Sequence, residues 1–163
     1  MEVPPITTFQ DAIKRLARFG IEEQHIYLVD LVILAEMAWA DECIQQAEVE
    51  LLVDYMLDHV QEINQLAGCL VLDEYMAADF VAELLGQKPE PSMLHAMRQA
   101  FIPIRLANKS QQEAEDITAN LLSACLDIAA SSVTKYPYGL KERFTREEKS
   151  YFHALQRLLS QAL

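Results

Sequence analysis

Apolar residues recur every three or four positions along most of the chain, and this spacing predicts helices. No stretch shows the sustained alternation of apolar and polar residues that is typical of a half-buried strand. Start and stop signals divide the chain into about seven helices. The first four cover about residues 9–19, 23–40, 46–66 and 71–85. The fifth follows Ser92 and is kinked or ended by Pro103, the sixth runs from Ser110 to about residue 133, and the seventh from Thr145 to about residue 159.

Polar residues and glycines at the helix ends indicate these boundaries. Thr8 can cap the first helix, with Asp11 at the third helical position. Two later helices open with the spacing of a capping box, Ser110-x-x-Glu113 and Thr145-x-x-Glu148. Glycines stand at the ends of three predicted helices, at Gly20, Gly68 and Gly86. Residues 87–91 and 135–144 are predicted to be loops.

The second predicted helix is apolar on nearly every side, so we expect it to be the central and most buried one. Its most apolar run, residues 26–40, is interrupted by Asp30 and Glu36. A membrane span needs about 20 apolar residues, so this run does not predict one. The amino terminus lacks the basic and apolar regions of a signal peptide.

Composition agrees with one soluble all-α domain over residues 1–163. Apolar residues make up 52% of the chain, which is enough for a full core, and only four residues are glycine. The three cysteines (Cys43, Cys69 and Cys125) are dispersed, and no C-x-x-C motif is present. Free thiols in a reducing compartment are the simplest interpretation, and they predict a cytoplasmic location.

Charge is distributed very unevenly along the chain. The net charge is −12, and the stretch between Arg18 and Lys88 holds fifteen Asp or Glu residues but no Lys or Arg. Nucleic acid is therefore a poor partner, because its phosphates require basic side chains. The repulsion within this stretch predicts bound cations, a basic partner or a solvated acidic face.

Two segments have a similar pattern and predict an internal helix-hairpin repeat. The two segments are residues 36–48 and residues 127–148. In each, an acidic residue stands near the end of an apolar helix, and a loop follows. The next helix then has Glu at its third position. The first segment, within residues 34–56 (LAEMAWADECIQQAEVELLVDYM), resembles the TerB-like family of tellurite-resistance proteins. The resemblance implies a small acidic helical domain associated with tellurite resistance and stress response, with proteins of such a system as partners.

Carboxylates of the two segments are the candidate site residues. If the two hairpins pack against each other, five acids would converge: Glu36, Asp41, Glu48, Asp127 and Glu148. No Lys or Arg lies near the first segment in sequence, so a divalent cation such as Ca²⁺, Mg²⁺, Mn²⁺ or Zn²⁺ could compensate the charge. The alternative is structural, since Glu48 and Glu148 can stabilise helix starts and Asp41 can end a helix.

Motifs for catalysis are not found in the sequence. Glu22-x-x-His25 has the spacing of a di-iron motif but occurs once, and the chain has neither a nucleophile elbow nor a phosphate-binding glycine loop. We therefore expect a non-enzymatic protein that binds a divalent cation. The alternatives are a helical interaction module whose acidic face recruits a basic or membrane-associated partner, or an enzyme with a buried carboxylate as general base. A homo-oligomer is also compatible with the sequence.

Overall fold

The computed structural model describes residues 8–40, 44–131 and 146–160, and the regular secondary structure of this part of the chain is all helical, without strands. The seven α-helices are α1 (Phe9–Ala17), α2 (Val29–Ala38), α3 (Gln46–Ala67), α4 (Glu74–Gly86), α5 (Pro91–Phe101), α6 (Gln111–Ser131) and α7 (Arg146–Ser160). A 3₁₀ helix (Glu23–Leu28) leads into α2, and a π-helical segment (Ile102–Leu106) continues α5. The predicted all-α bundle is confirmed.

Several helix ends lie where the sequence signals placed them. The Thr8 hydroxyl accepts a hydrogen bond from the Asp11 N–H at 3.1 Å and so caps α1. Ser110 does the same for the Glu113 N–H at the start of α6. Gly68 ends α3 with φ of +72°, a left-handed conformation that glycine adopts without a steric penalty.

Three other boundaries differ from the expectation. Helix α4 begins at Glu74, with Asp73 as its N-cap, and not near residue 71. The segment predicted as the first turns of the second helix is the 3₁₀ helix, and α2 itself begins only at Val29. The fifth helix begins at Pro91 with Glu90 as its N-cap, so Ser92 lies inside the helix and does not cap it. Proline is favoured at this first position because its missing N–H would have no helical partner there.

Helix α2 forms the centre of the bundle, as expected. It contacts α3, α4, α5, α6 and α7. Every residue of α2 except Glu36 is buried, because its apolar side chains point in all directions and each needs a neighbouring helix to cover it. None of the described helices is long and apolar enough to cross a membrane.

Residues 132–145, which connect the two helices of the second repeat segment, lie outside the described residues. This gap includes the predicted loop 135–144 and Thr145, the expected cap of α7. Asp41 and Cys43 also lie outside the described part. The internal repeat therefore stays a prediction.

Candidate functional site

A cleft of about 600 Å³ opens between the end of α2, the start of α5 and the first turns of α7. Its polar and aromatic walls are formed by Glu36, Trp39, Lys88, Arg98, Arg146, Glu147 and Tyr151. Leu94, Pro91 and Ala154 add apolar surface. This volume is within the usual range for sites that bind small molecules.

Glu36 pairs with Arg98 on the wall of this cleft. The Arg98 Nε lies 3.0 Å from the Glu36 Oε1, and the two side chains are 25% and 13% exposed. The two atoms are close enough for an ion pair, but their angles do not meet the geometry of a hydrogen bond. Neither atom has a hydrogen-bond partner elsewhere in the described residues. Although no Lys or Arg is near Glu36 in the sequence, α5 therefore brings a cation beside it in the fold.

Tyr151 joins the same group from α7. Its hydroxyl donates to the carbonyl of Ile33 at 3.1 Å, and Arg98 lies over its ring at 5.9 Å from the centroid. Burial raises the pKa of Glu36, while the Tyr151 hydroxyl, Arg98 and Lys88 act in the opposite direction. Burial also raises the pKa of Tyr151, and the Glu36 carboxylate adds to this shift. Perturbed acids in a cleft are typical of binding and catalytic sites.

Trp39 lines the cleft at the carboxyl end of α2. Its indole N–H donates to the Leu84 carbonyl of α4 at 2.9 Å. The ring therefore has one orientation and offers a flat apolar surface to the cleft. Trp39 is also the single tryptophan of the chain.

The remaining predicted metal ligands have different surroundings. The Glu48 carboxylate accepts from the Gln45 N–H at 2.9 Å and closes a capping box at the start of α3. Glu148 is buried in the first turn of α7, whereas Asp127 on α6 is exposed. Across the described ranges, no three His, Cys, Asp or Glu side chains lie close enough together to hold a metal ion. With Asp41 outside those ranges, the metal site stays a prediction.

A second ion pair lies in the core and was not predicted. The Arg105 Nε, from the π-helical segment, donates to the Asp30 Oδ1 of α2 at 2.9 Å. The His59 Nδ1 is 4.0 Å from the other Asp30 oxygen, and its Nε2 donates to the Tyr27 carbonyl at 2.6 Å. Asp30, Arg105 and His59 are all buried, so this group links α2, α3 and the end of α5 inside the bundle.

The outer surface of α3 carries a continuous line of negative charge. Four exposed acids recur at every fourth position, which places them along one side of the helix: Glu50, Asp54, Asp58 and Glu62. We call these four residues the acidic row. Within the part of the chain that the structure describes, none of them forms an ion pair. Neither α3 nor α4 contains a Lys or Arg.

Leu66 continues the acidic row by one more step and begins an exposed apolar surface. Leu66, Leu70 and Tyr75 are 66%, 81% and 83% exposed, and we call them the apolar tip. Leu66 lies on α3, Tyr75 on α4 and Leu70 on the turn between them. This turn is held by the Asn64 side chain, which bonds the backbone of residues 71 and 72 through three hydrogen bonds of 2.8–2.9 Å. A groove of about 360 Å³ adjoins the tip, and Leu66 and Val71 form part of its wall.

Sequence reasoning selected Glu36 but missed its partners Arg98 and Tyr151. One signal was available: Asp30 and Glu36 interrupt the most apolar run of the chain, so each required a buried or half-buried partner. The spacing of the acidic row on α3 was also visible in the sequence.

No protein-family model, no curated protein and no solved structure matches this chain. The resemblance to TerB-like proteins, and with it a role in tellurite or stress resistance, therefore stays a prediction.

Proposed function

We propose that this protein is a non-enzymatic interaction module that binds a basic, amphipathic segment of another protein along α3. The acidic row carries the proposal, because four exposed carboxylates on one side of a helix have no cation to offset them among the described residues. A partner that supplies Lys or Arg side chains would relieve this repulsion.

The cost of the acidic row in the free protein supports this proposal. Like charges four residues apart destabilise a helix by about 0.2–0.5 kcal/mol per pair, and the row contains three such pairs in succession. Solubility does not require this arrangement, since the same charge could be dispersed over the surface. Opposite charges on a partner would convert the cost into binding free energy and would also accelerate association.

The apolar tip supports an amphipathic partner over a purely ionic one. The residues of the apolar tip are more than half exposed, and the Asn64 hydrogen bonds already fix the backbone between α3 and α4, so that binding there loses side-chain entropy but little backbone entropy. An apolar side chain of the partner fits the adjoining groove. The resulting mode is a helix whose basic side chains follow the acidic row and whose apolar residues contact the tip.

Fluorescence anisotropy with a labelled probe peptide tests the proposal. A Leu/Lys amphipathic helix of about 18 residues spans the row at about 1.5 Å per residue. We expect its affinity to fall by about tenfold in the double variant Asp54→Asn/Asp58→Asn, since each exposed pair contributes about 0.2–1 kcal/mol. Binding should also weaken between about 0.01 M and 0.15 M NaCl, where the Debye length falls from about 30 Å to about 8 Å.

The matched control removes the same charge from another helix. Glu115→Gln/Asp116→Asn neutralises two exposed acids of α6 and should leave the affinity within about twofold of wild type. Equal losses in the two double variants would show that only net charge matters, and the proposed surface would be wrong. Undiminished binding at high salt would contradict it as well.

A further inference from the structure

We propose that the cleft between α2, α5 and α7 is a binding site for a small organic anion, one with a carboxylate or phosphate group on a flat apolar body. Three basic side chains face this cleft in a protein whose net charge is −12: Lys88, Arg98 and Arg146. Lys88 precedes α5, Arg98 lies on α5 and Arg146 begins α7, so the packing of α7 against α5 and α2 places them around one cleft. The acidic row does not contribute to this cleft, and the inference is independent of the proposed function.

The ion pair on the wall indicates where the anionic group would bind. Arg98 lies 3.0 Å from Glu36 without hydrogen-bond geometry, and a quarter of its side chain remains exposed. The Nε atom of Arg98 is buried and has no hydrogen bond among the described residues, and a buried donor of this kind calls for a partner such as a water molecule or a bound ion. A carboxylate or phosphate oxygen is the strongest acceptor for a guanidinium and could satisfy it.

The other cleft residues define the body of the ligand. The Trp39 ring is held by its hydrogen bond to Leu84, and the Tyr151 ring is held by its hydrogen bond to Ile33. With Pro91 and Leu94 these rings form apolar walls around a space of about 600 Å³. A planar apolar group fits such walls, whereas a bare inorganic anion would leave them in contact with water.

The indole N–H resonance of Trp39 offers a reporter at the site, because the chain has one tryptophan. We would titrate ¹⁵N-labelled protein with benzoate and with phenyl phosphate, and use inorganic phosphate and benzylamine for comparison. We expect a saturable shift of this resonance with at least one of the two aryl anions. Arg98→Gln should weaken the binding by about tenfold or more, since a charge-assisted hydrogen bond is lost.

Arg157→Gln is the matched control, since Arg157 lies on α7 but bonds its own helix at His153 and is exposed. It should retain the full shift. Saturation by phenyl phosphate alone would identify a phosphate ligand, and saturation by benzoate alone a carboxylate. Lys88→Gln serves as a second test if Arg98→Gln does not fold.

Three outcomes would overturn the inference. The first is the absence of a saturable shift with either aryl anion. The second is a shift that survives undiminished in Arg98→Gln and Lys88→Gln. The third is a shift with benzylamine alone, which would make Glu36 the recognition group and the ligand a cation.

Discussion

The outer surface of α3 and the cleft between α2, α5 and α7 differ in the signs of the charges that they carry. The acidic row places four carboxylates side by side with no cation among the described residues. The cleft mixes three basic side chains with Glu36 and Glu147 around aromatic walls. The net charge of −12 is therefore the sum over two surfaces of different chemistry, and we propose a different class of partner for each.

The buried pair between Asp30 and Arg105 belongs to neither of these surfaces. Asp30→Ala would leave Arg105 charged in the core without its partner, and such losses cost about 3–5 kcal/mol. Urea unfolding measures the change in free energy. Glu36→Gln, on the same helix but at the open cleft, should cost far less and is the control. A loss below about 1 kcal/mol in Asp30→Ala would show that the core pair does not stabilise the bundle.

Each surface can be tested with the ligand of the other. Asp54→Asn/Asp58→Asn should weaken the Leu/Lys peptide by about tenfold and leave the aryl-anion shift of Trp39 unchanged. Arg98→Gln should have the converse effect, because its guanidinium faces the cleft and not α3. A variant that impaired both ligands to the same extent would indicate one shared site, or general damage to the fold.

Removing charge from the acidic row should stabilise the free protein. Asp54→Asn/Asp58→Asn eliminates all three like-charge contacts of the row, and the expected gain in unfolding free energy is about 1 kcal/mol. Thermal or urea unfolding at low salt measures it, and added salt should reduce the gain because it screens the wild-type repulsion. A loss of stability would mean that these carboxylates have favourable partners in the folded chain.

Burial of Glu36 predicts a pH dependence in the cleft. The pKa of Glu36 is raised in the folded protein. As the pH rises past about 4.3, the ordinary pKa of a glutamate, the unfolded chain therefore loses this proton while the folded chain still holds it. The contribution of Glu36 to stability therefore falls as the pH rises through the raised value. The stability of Glu36→Gln relative to wild type should increase over the same interval in urea titrations. A decrease would mean that the folded protein favours the ionised form.

The smallest expected effect is the change in melting temperature that the predicted metal site would cause. This prediction requires Ca²⁺ or Mn²⁺ to raise the melting temperature and requires Glu36→Gln or Asp127→Asn to abolish that increase. Weak screening of the acidic row by the same ions would give a small increase that persists in both variants. Elemental analysis before and after chelation distinguishes a bound ion from such screening.

Local signals in the sequence account for much of the fold. Thr8, Gly68 and Ser110 mark helix ends through contacts within a few residues, and the structure places them as expected. The 3₁₀ helix before α2 and the π-helical segment after Phe101 were not predicted. Hydrophobic periodicity does not resolve these variants, because the chain forms them to fit neighbouring helices.

The candidate site was less predictable for a related reason. Glu36 could be selected from sequence because an acid in an apolar helix needs a partner. The identity of that partner depends on how α5 and α7 pack against α2, and neither Arg98 nor Tyr151 is near Glu36 in the chain. The acidic row, in contrast, is set by the periodicity of a single helix.

Chemical-shift mapping of the Leu/Lys peptide on ¹⁵N-labelled protein tests the interaction surface most directly. We predict perturbed amides along the exposed side of α3 from Glu50 to Leu66 and in the turn to Tyr75, with Trp39 unaffected. Perturbations confined to α5 and α7, or spread evenly over every acidic surface, would contradict the assignment of α3 as the binding helix.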